Sequence, residues 1–327
     1  MTLTKRLVSS ASRAAQMAVQ GAVGLAAGVA IFLAVSGAPL EALAQAAPAQ
    51  APAAAPAVKG QGPALWVVKD EDSTLYLFGT VHVLRPSIGW SSPRVEAAFN
   101  SADQIWFEIS NPDDQAAMMP LIQQYGLSPQ TPLSSLLTEE EFASLDTAAK
   151  TMGLSAAALD PMRPWLAGLT LSVAPLVKAG FDPASGVDIV LKARAEAAGK
   201  PIHAFETIDQ QVRMLATLPE PVQLAFVRQG IEDYDRAVEM LDGLVEAWSI
   251  GDVDQIDALM IEEMKAEHPD LHKVLLVDRN TDWANQIQTM LEGSGTAFIA
   301  VGAAHLAGED SVQSMLKTRG VSVQAVE

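Results

Sequence analysis

Two stretches of this chain, far apart in sequence, share one pattern. Leu75-Tyr76-Leu77-Phe78-Gly79-Thr80-Val81-His82 and Phe298-Ile299-Ala300-Val301-Gly302-Ala303-Ala304-His305 each read as an apolar strand, a glycine, two small residues and a histidine. In open α/β sheets the strand ends are where loops diverge and ligands sit, and a glycine there lets the backbone turn and approach a ligand closely. Neutral imidazole is the commonest metal ligand, and two of them set on rigid strands form a preorganised pair. A single Gly-x-x-His arises readily by chance, and a lone histidine beside a strand is more often a hydrogen-bonded structural residue. Recurrence at two strand ends is what makes His82 and His305 candidate metal ligands, with Gly79 and Gly302 as the motif glycines.

Glu108 follows Ile105, Trp106 and Phe107 at the end of an apolar segment. A carboxylate carried into such surroundings needs a cation or several hydrogen bonds, and a divalent metal meets that need directly. The bland alternative is an ion pair with Arg163 or Arg279. Glu206 stands in a similar place after Phe205, either as a further ligand or proton acceptor, or as a cap on the helical segment starting near Asp209. His203 reads as structural. His268 and His272 have the i, i+4 spacing of two ligands on one helix face, but Pro269 puts His268 at or outside a helix start and no glutamate completes a His-Glu-x-x-His pattern, so this pair reads as a solvated helix terminus.

The elements that must position these residues are legible from pattern. Leu65–Lys69 and Thr74–Phe78 read as a hairpin around the turn Asp70–Ser73, and Gln104–Ile109 as a third strand after a short helix capped by Ser92 with Pro93 in its first turn. Two helical stretches follow, roughly 113–198 and 209–292, the first containing the capping-box pattern Thr138-Glu139-Glu140-Glu141 and breaks at Pro161, Pro164 and 180–183. Short apolar strands at 201–206 and 296–301, and a last one at 321–326, complete the set. The fold class expected is α/β (α+β): a central mixed β-sheet with helices packed on it and large helical insertions between strands.

Composition narrows the chemistry. With 327 residues and 49% apolar content the chain can bury a full core, and its net charge of −18 argues against nucleic-acid binding, which needs a concentrated basic face. It has no cysteine, which excludes disulfides, zinc-thiolate sites and thiol nucleophiles. Neither a Gly-x-Ser-x-Gly elbow nor a Gly-rich phosphate loop is present. Lys5, Arg6 and Arg13 precede an apolar stretch from about Met17 to Val35, followed by Ala44-Gln45-Ala46, which reads as a signal peptide over residues 1–46; an uncleaved membrane anchor is the alternative. Residues 47–62 read as an Ala/Pro-rich linker and 63–327 as the folded domain. Either reading of the leader exports the domain, to the periplasm or beyond the cell. A homodimer stays open.

The motif set as a whole resembles the TraB/GumN group, related to the Tiki proteases and more distantly to erythromycin esterase and ChaN-type proteins. The resemblance covers nearly all of the exported domain. It rests on Gly79-Thr80-Val81-His82, Glu108, Gly186-Val187-Asp188, Gly199-Lys200-Pro201, Glu206-Thr207, Arg279-Asn280 with Trp283, and Val301-Gly302-Ala303-Ala304-His305-Leu306. It implies an α/β sheet with helical insertions and a metal-dependent, peptidase-like site using both motif histidines and the glutamate, with the arginine nearby. Ala303, Ala304 and Phe205 are variations expected to shape the pocket.

Together these readings predict a metal-dependent hydrolase in which His82, Glu108 and His305 hold a divalent ion, Glu206 or Glu108 accepts a proton from water, and Arg279 stabilises an oxyanion or orients a carboxylate. Zinc, manganese, cobalt and iron all suit such a donor set, and the substrate would be a peptide or small molecule. The alternatives are a non-catalytic binding protein for metal, haem or a small ligand, and a structural interaction module.

Overall fold

A computed structural model of the chain describes residue 58 and residues 61–327. The leader expected over 1–46 lies outside the described residues, as does the linker apart from Val58, Gln61 and Gly62. Six strands form one mixed sheet in the order β4-β3-β5-β2-β1-β6, with β1 Leu65–Lys69, β2 Ser73–Thr80, β3 Gln104–Ile109, β4 Ile202–Glu206, β5 Gly295–Gly302 and β6 Val323–Ala325. The four strands β4, β3, β5 and β2 run parallel, while β1 is antiparallel to both its neighbours.

The β1–β2 hairpin closes where turn chemistry predicts it: the Asp70 carboxylate accepts the backbone N–H groups of Asp72 and Ser73 at 3.2 and 2.7 Å. β5 is covered on both faces, which explains its unbroken apolar run. Phe298 and Ala300 join the larger core with Phe78, Phe99, Ile105 and Phe107. Ala297, Ile299 and Val301 join the opposite core with Leu77, Phe205, Trp283, Ile287 and Leu316. β6 is a three-residue edge strand, shorter than the 321–326 segment expected, since only Val323–Ala325 pair with β1.

The first helical insertion, between β3 and β4, contains Glu139–Thr151 with the anticipated Thr138–Glu141 capping box, Pro164–Lys178 and Val187–Ala197. The second, between β4 and β5, contains Ile208–Ala216, Glu220–Glu232, Ala237–Ile250, Val253–Met260 and Asp278–Leu291. Two capping expectations need correction. The helix Pro93–Ser101 does start at Pro93, but the Ser92 hydroxyl makes no cap bond and is buried without a partner. The helix after β4 is capped by Thr207, in a reciprocal box with Gln210, and not by Glu206. That frees the Glu206 carboxylate to face elsewhere.

The two ends of the described segment are tied together by Arg94, whose guanidinium donates to the carbonyls of Gln61, Gly62, Pro63 and Val326. Among the described residues no helix is long and apolar enough to cross a membrane.

Candidate active site

Because β2, β5, β3 and β4 run parallel, their carboxyl ends share one edge of the sheet, where ligands bind in open α/β folds. Each end delivers one of the expected side chains. His82 lies just past β2, Glu108 is the penultimate residue of β3, Glu206 is the last of β4, and His305 sits in the short 3-10 turn Ala303–Leu306 after β5. The two Gly-x-x-His patterns lie side by side, with Gly79 opposite Val301 and Thr80 opposite Gly302. Both glycines are needed for this approach. A β-carbon at Gly79 would stand 3.1 Å from the Ala303 α-carbon, and one at Gly302 would stand 3.0 Å from Glu108 Oε1, 3.2 Å from His82 Nε2 and 3.6 Å from His305 Cδ2.

Glu108 is the hub. Its Oε1 accepts the Gly302 N–H at 2.7 Å and lies 3.8 Å from both His82 Nε2 and His305 Nε2. Its Oε2 accepts from Arg279 Nη2 at 2.7 Å and Gln211 Nε2 at 3.3 Å. The ion pair considered from sequence is therefore made by Arg279; Arg163 instead precedes the first turn of the helix Pro164–Lys178. Burial would raise the Glu108 pKa, but the Arg279 guanidinium, His305, His82 and the Gly302 N–H together pull it down to about 2.

Arg279 comes from the first turn of the helix Asp278–Leu291, one turn ahead of Trp283, over whose ring it lies at 4.7 Å. Its Nε and Nη2 donate to Glu206 at 2.8 and 2.9 Å, Nη2 also to Glu108, and Nη1 to the Leu275 carbonyl and His305 Nε2 at 3.3 and 3.0 Å. These contacts occupy its five N–H groups. Burial opposes its charge, yet Glu108 and Glu206 more than compensate and raise its pKa further above the usual range.

The same contacts fix the tautomer of His305. Arginine can only donate, so His305 Nε2 accepts, and the ring proton sits on Nδ1, which donates to Asn280 Oδ1 at 2.5 Å. Burial and the adjacent guanidinium push the His305 pKa down to about 3, against the pull of Glu108. His82 is the opposite case. Asp188 Oδ2 lies 3.1 Å from its Nδ1, within ion-pair reach, while neither ring nitrogen completes a directed hydrogen bond. Burial works against a charge on His82, but Asp188 and Glu108 outweigh it and raise the pKa.

Glu206 accepts from Arg279, Gln211 Nε2 at 2.8 Å and Trp283 Nε1 at 3.0 Å. It lines an open cleft together with Gln211, Asp278, Arg279 and Asp282, of which Gln211 and Arg279 also contact Glu108. The remaining histidines stay apart from this cluster. His203 is exposed and stacks on Trp106 at 5.0 Å between ring centres. His272 is buried, 3.8 Å from Asp310, and is not the solvated terminus expected of it, because the turn Pro269–His272 packs that face inward.

The donor set suits a divalent cation in type and direction. His82 Nε2 is buried and without a partner, and it and Glu108 Oε1 both face the position a Gly302 β-carbon would take, while His305 Nε2 lies 3.8 Å from the same Glu108 oxygen. The charges agree: Glu108 and Glu206 share one guanidinium while Asp188 faces His82, and buried charge needs a partner. Two features run against it. The 3.8 Å spacings are looser than the roughly 3.4 Å between ligand atoms on a tetrahedral ion with bonds of about 2.0–2.1 Å. His305 Nε2 also already accepts from Arg279. Among the described residues, no group of three or more His, Asp or Glu side chains stands close enough to grip an ion.

Sequence reasoning gave no role to Asp188, Asn280, Trp283 or Gln211. The first three lie in the segments that carry the family resemblance. Gln211 had one overlooked signal: it lies beside Val212 and one turn before Leu215 on the buried face of its helix, where a polar side chain needs a partner.

A model of the TraB/PrgY/gumN family matches residues 64–325. An uncharacterized protein, YbaP, of Escherichia coli (strain K12) is 23% identical over 257 residues, spanning 78% of this chain and 92% of its own. An uncharacterized protein of Treponema pallidum (strain Nichols) is 21% identical over 270 residues, spanning 78% of this chain and 80% of its own. No solved structure matches the chain.

Proposed function

From the premise that the chain belongs to the TraB/PrgY/gumN family, we propose that it is a metal-dependent hydrolase acting on an amide bond, its centre formed by His82, Glu108 and His305. The observation that carries this reading is that Glu108 Oε1 lies 3.8 Å from both His82 Nε2 and His305 Nε2, three donor atoms delivered at the carboxyl ends of three parallel strands. His82 and His305, through Nε2, and Glu108, through Oε1, would hold the cation. When bound, zinc, manganese, cobalt or iron supplies a Lewis acid that polarises a carbonyl and acidifies water.

The remaining residues act on these three. Asn280 keeps the His305 proton on Nδ1 and so leaves the Nε2 lone pair facing inward, the arrangement seen when an outer partner orients a ligating imidazole. Asp188 stands at the same position relative to His82. Arg279 and Gln211 hold Glu108 and Glu206 in place, and Arg279 balances their charge. With a pKa near 2, Glu108 is a weak base at neutral pH and suits the ligand role. Glu206, on the open cleft, is the carboxylate placed to take a proton from an entering water. Arg279 reaches an oxyanion only by giving up one of its present partners. The basic and apolar leader supports an exported setting, and the acidic composition favours peptides or small molecules over nucleic acid.

One observation favours a second reading, a binding protein without turnover. Arg279 has no N–H left over and Glu206 already accepts four donors, a rigid network that suits retention of a metal or small ligand. Purified protein stripped of metal, reloaded with each divalent ion and offered a peptide library separates the two. Metal-restored cleavage lost in His82→Ala supports the hydrolase. Stoichiometric metal with no cleavage of any peptide supports the binding protein.

A further inference from the structure

A second space, apart from the open cleft at Glu206, touches the candidate centre through His82. Beside His82 lies a narrow, partly open cavity, with about 40 Å³ of room for the centres of water-sized molecules, flanked by the helices Pro164–Lys178, Ala237–Ile250 and Val253–Met260. Its walls are aliphatic: Val81, Val173, Leu176, Leu241, Leu244 and Met260, with Ala303 and Ala304 of the second motif at the end nearest the centre. Among the described residues no Phe, Tyr or Trp lines it, and His82 is its only ionisable side chain.

Three polar side chains interrupt this lining. The Ser172 hydroxyl is satisfied by the Gly168 carbonyl at 2.9 Å. The Thr80 hydroxyl is not: the residue is 2% exposed and its Oγ1 has no hydrogen-bond partner. His82 is the third, with its Nε2 lacking a hydrogen-bond partner. A buried hydroxyl without a partner is costly and calls for a ligand atom or water. Thr80 and His82 thus mark a polar end to an otherwise greasy slot, next to the atoms that would do chemistry.

We infer that this cavity receives a linear aliphatic acyl chain of the substrate, with the carbonyl at its head beside Thr80 and His82 and the leaving group in the cleft at Glu206. The inference rests on the hydrolytic reading above and names its substrate class. The narrow aliphatic lining suits a flexible chain, and Met260 adapts readily to such a chain. The open cleft carries Glu206, Asp278 and Asp282, a polar setting for an amine. In the reaction water adds its oxygen to the acyl carbon, the C–N bond breaks, one proton goes to the departing nitrogen, and the products are an amine and a carboxylic acid.

Binding tests this without turnover, so its failure leaves hydrolysis untouched, and a loss of hydrolysis leaves it intact. Neutral primary alkanamides from hexanamide to dodecanamide, titrated calorimetrically into the full protein, should bind about fourfold more tightly per added methylene until the cavity is full. Ala237→Leu should move the break to shorter chains and Met260→Ala to longer ones, and either variant alone suffices if the other fails to fold. A flat series, or one break shared by all three proteins, overturns the inference. So does saturation at four carbons or fewer, which would indicate an amino-acid side chain as occupant.

Discussion

Arg279 holds the candidate site together by satisfying two carboxylates and one imidazole at once. Removing it as Arg279→Met leaves Glu108 and Glu206 buried without their cation, which should cost about 3–5 kcal/mol in urea unfolding of the metal-free protein. The double variant Arg279→Met with Glu108→Gln should lose less than the sum of the singles, since the orphaned charge goes with its partner; strict additivity would mean the two do not interact. Gly302→Ala is a milder probe. Its backbone φ of −52° accepts alanine, so the fold should hold with small shifts of Glu108 and His82, which a new methyl group would otherwise meet at 3.0 and 3.2 Å. Metal affinity should fall at least about tenfold, the lower end of the losses seen when a metal site's surroundings are disturbed; unchanged metal content by elemental analysis would place the ion elsewhere. Acid should loosen the same cluster. Glu108 at about 2 and His305 at about 3 both titrate below their unfolded values, so the unfolded chain takes up more protons as the pH falls and stability drops with it. The His305 share is lost from about pH 6.5 downward and the Glu108 share from about pH 4.3. His82, whose pKa is raised, has the opposite sign, and its contribution fades as the pH rises through its folded value. His305→Gln should therefore flatten the stability profile of the metal-free protein between pH 6.5 and 4.5, where the wild-type slope from this group is at most about 1.4 kcal/mol per pH unit.

At the scale of elements, the contact that brings Asp188 to His82 is made by the start of the helix Val187–Ala197. The Val187 N–H donates to the Val81 carbonyl at 2.9 Å, and a β-carbon at Gly186 would fall 2.3 Å from the His82 carbonyl oxygen. Gly186→Ala must push this helix off the loop, at a cost of about 1–3 kcal/mol by analogy with other overpacked sites. The imidazole resonance of His82, followed by NMR titration, should then move toward the ordinary pKa; no movement would mean Asp188 does not set it. Such through-space pairings explain what was legible beforehand. Both motif histidines and Glu108 could be read because a strand end followed by Gly-x-x-His is local and occurs twice. Asp188 and Asn280 could not be assigned, since their roles depend on which ring nitrogen they meet across the fold. The strands were readable from β-branched and aromatic runs, whereas Thr207 rather than Glu206 proved to be the helix cap, because a hydroxyl paired with Gln210 competes better for that position.

For the whole molecule, the closure at Arg94 joins the start and end of the described domain through four carbonyls. Arg94→Ala should lower stability by about 1–3 kcal/mol, since hydrogen bonds to a charged group are worth more than neutral ones. It should also make the segment before β1 more sensitive to limited proteolysis, while the His82 imidazole resonance stays unchanged because the arginine lies outside the cluster around Glu108. The sheet order was the part least readable from sequence. Nothing local reveals that β5, which arrives after both helical insertions, inserts between β2 and β3 rather than adding to an edge.

That late insertion has a consequence for how the chain is made. Until roughly residue 302 has emerged, β2 and β3 each present an unpaired, apolar strand edge to whatever is nearby, the kind of surface that recruits other chains. A product that stops short of β5 is thus left as two unjoined half-sheets and should clump, whereas one that stops after it has every centrally placed edge sealed. The two motif imidazoles meet in that same late event, so the cluster around Glu108 cannot assemble before the sheet is complete.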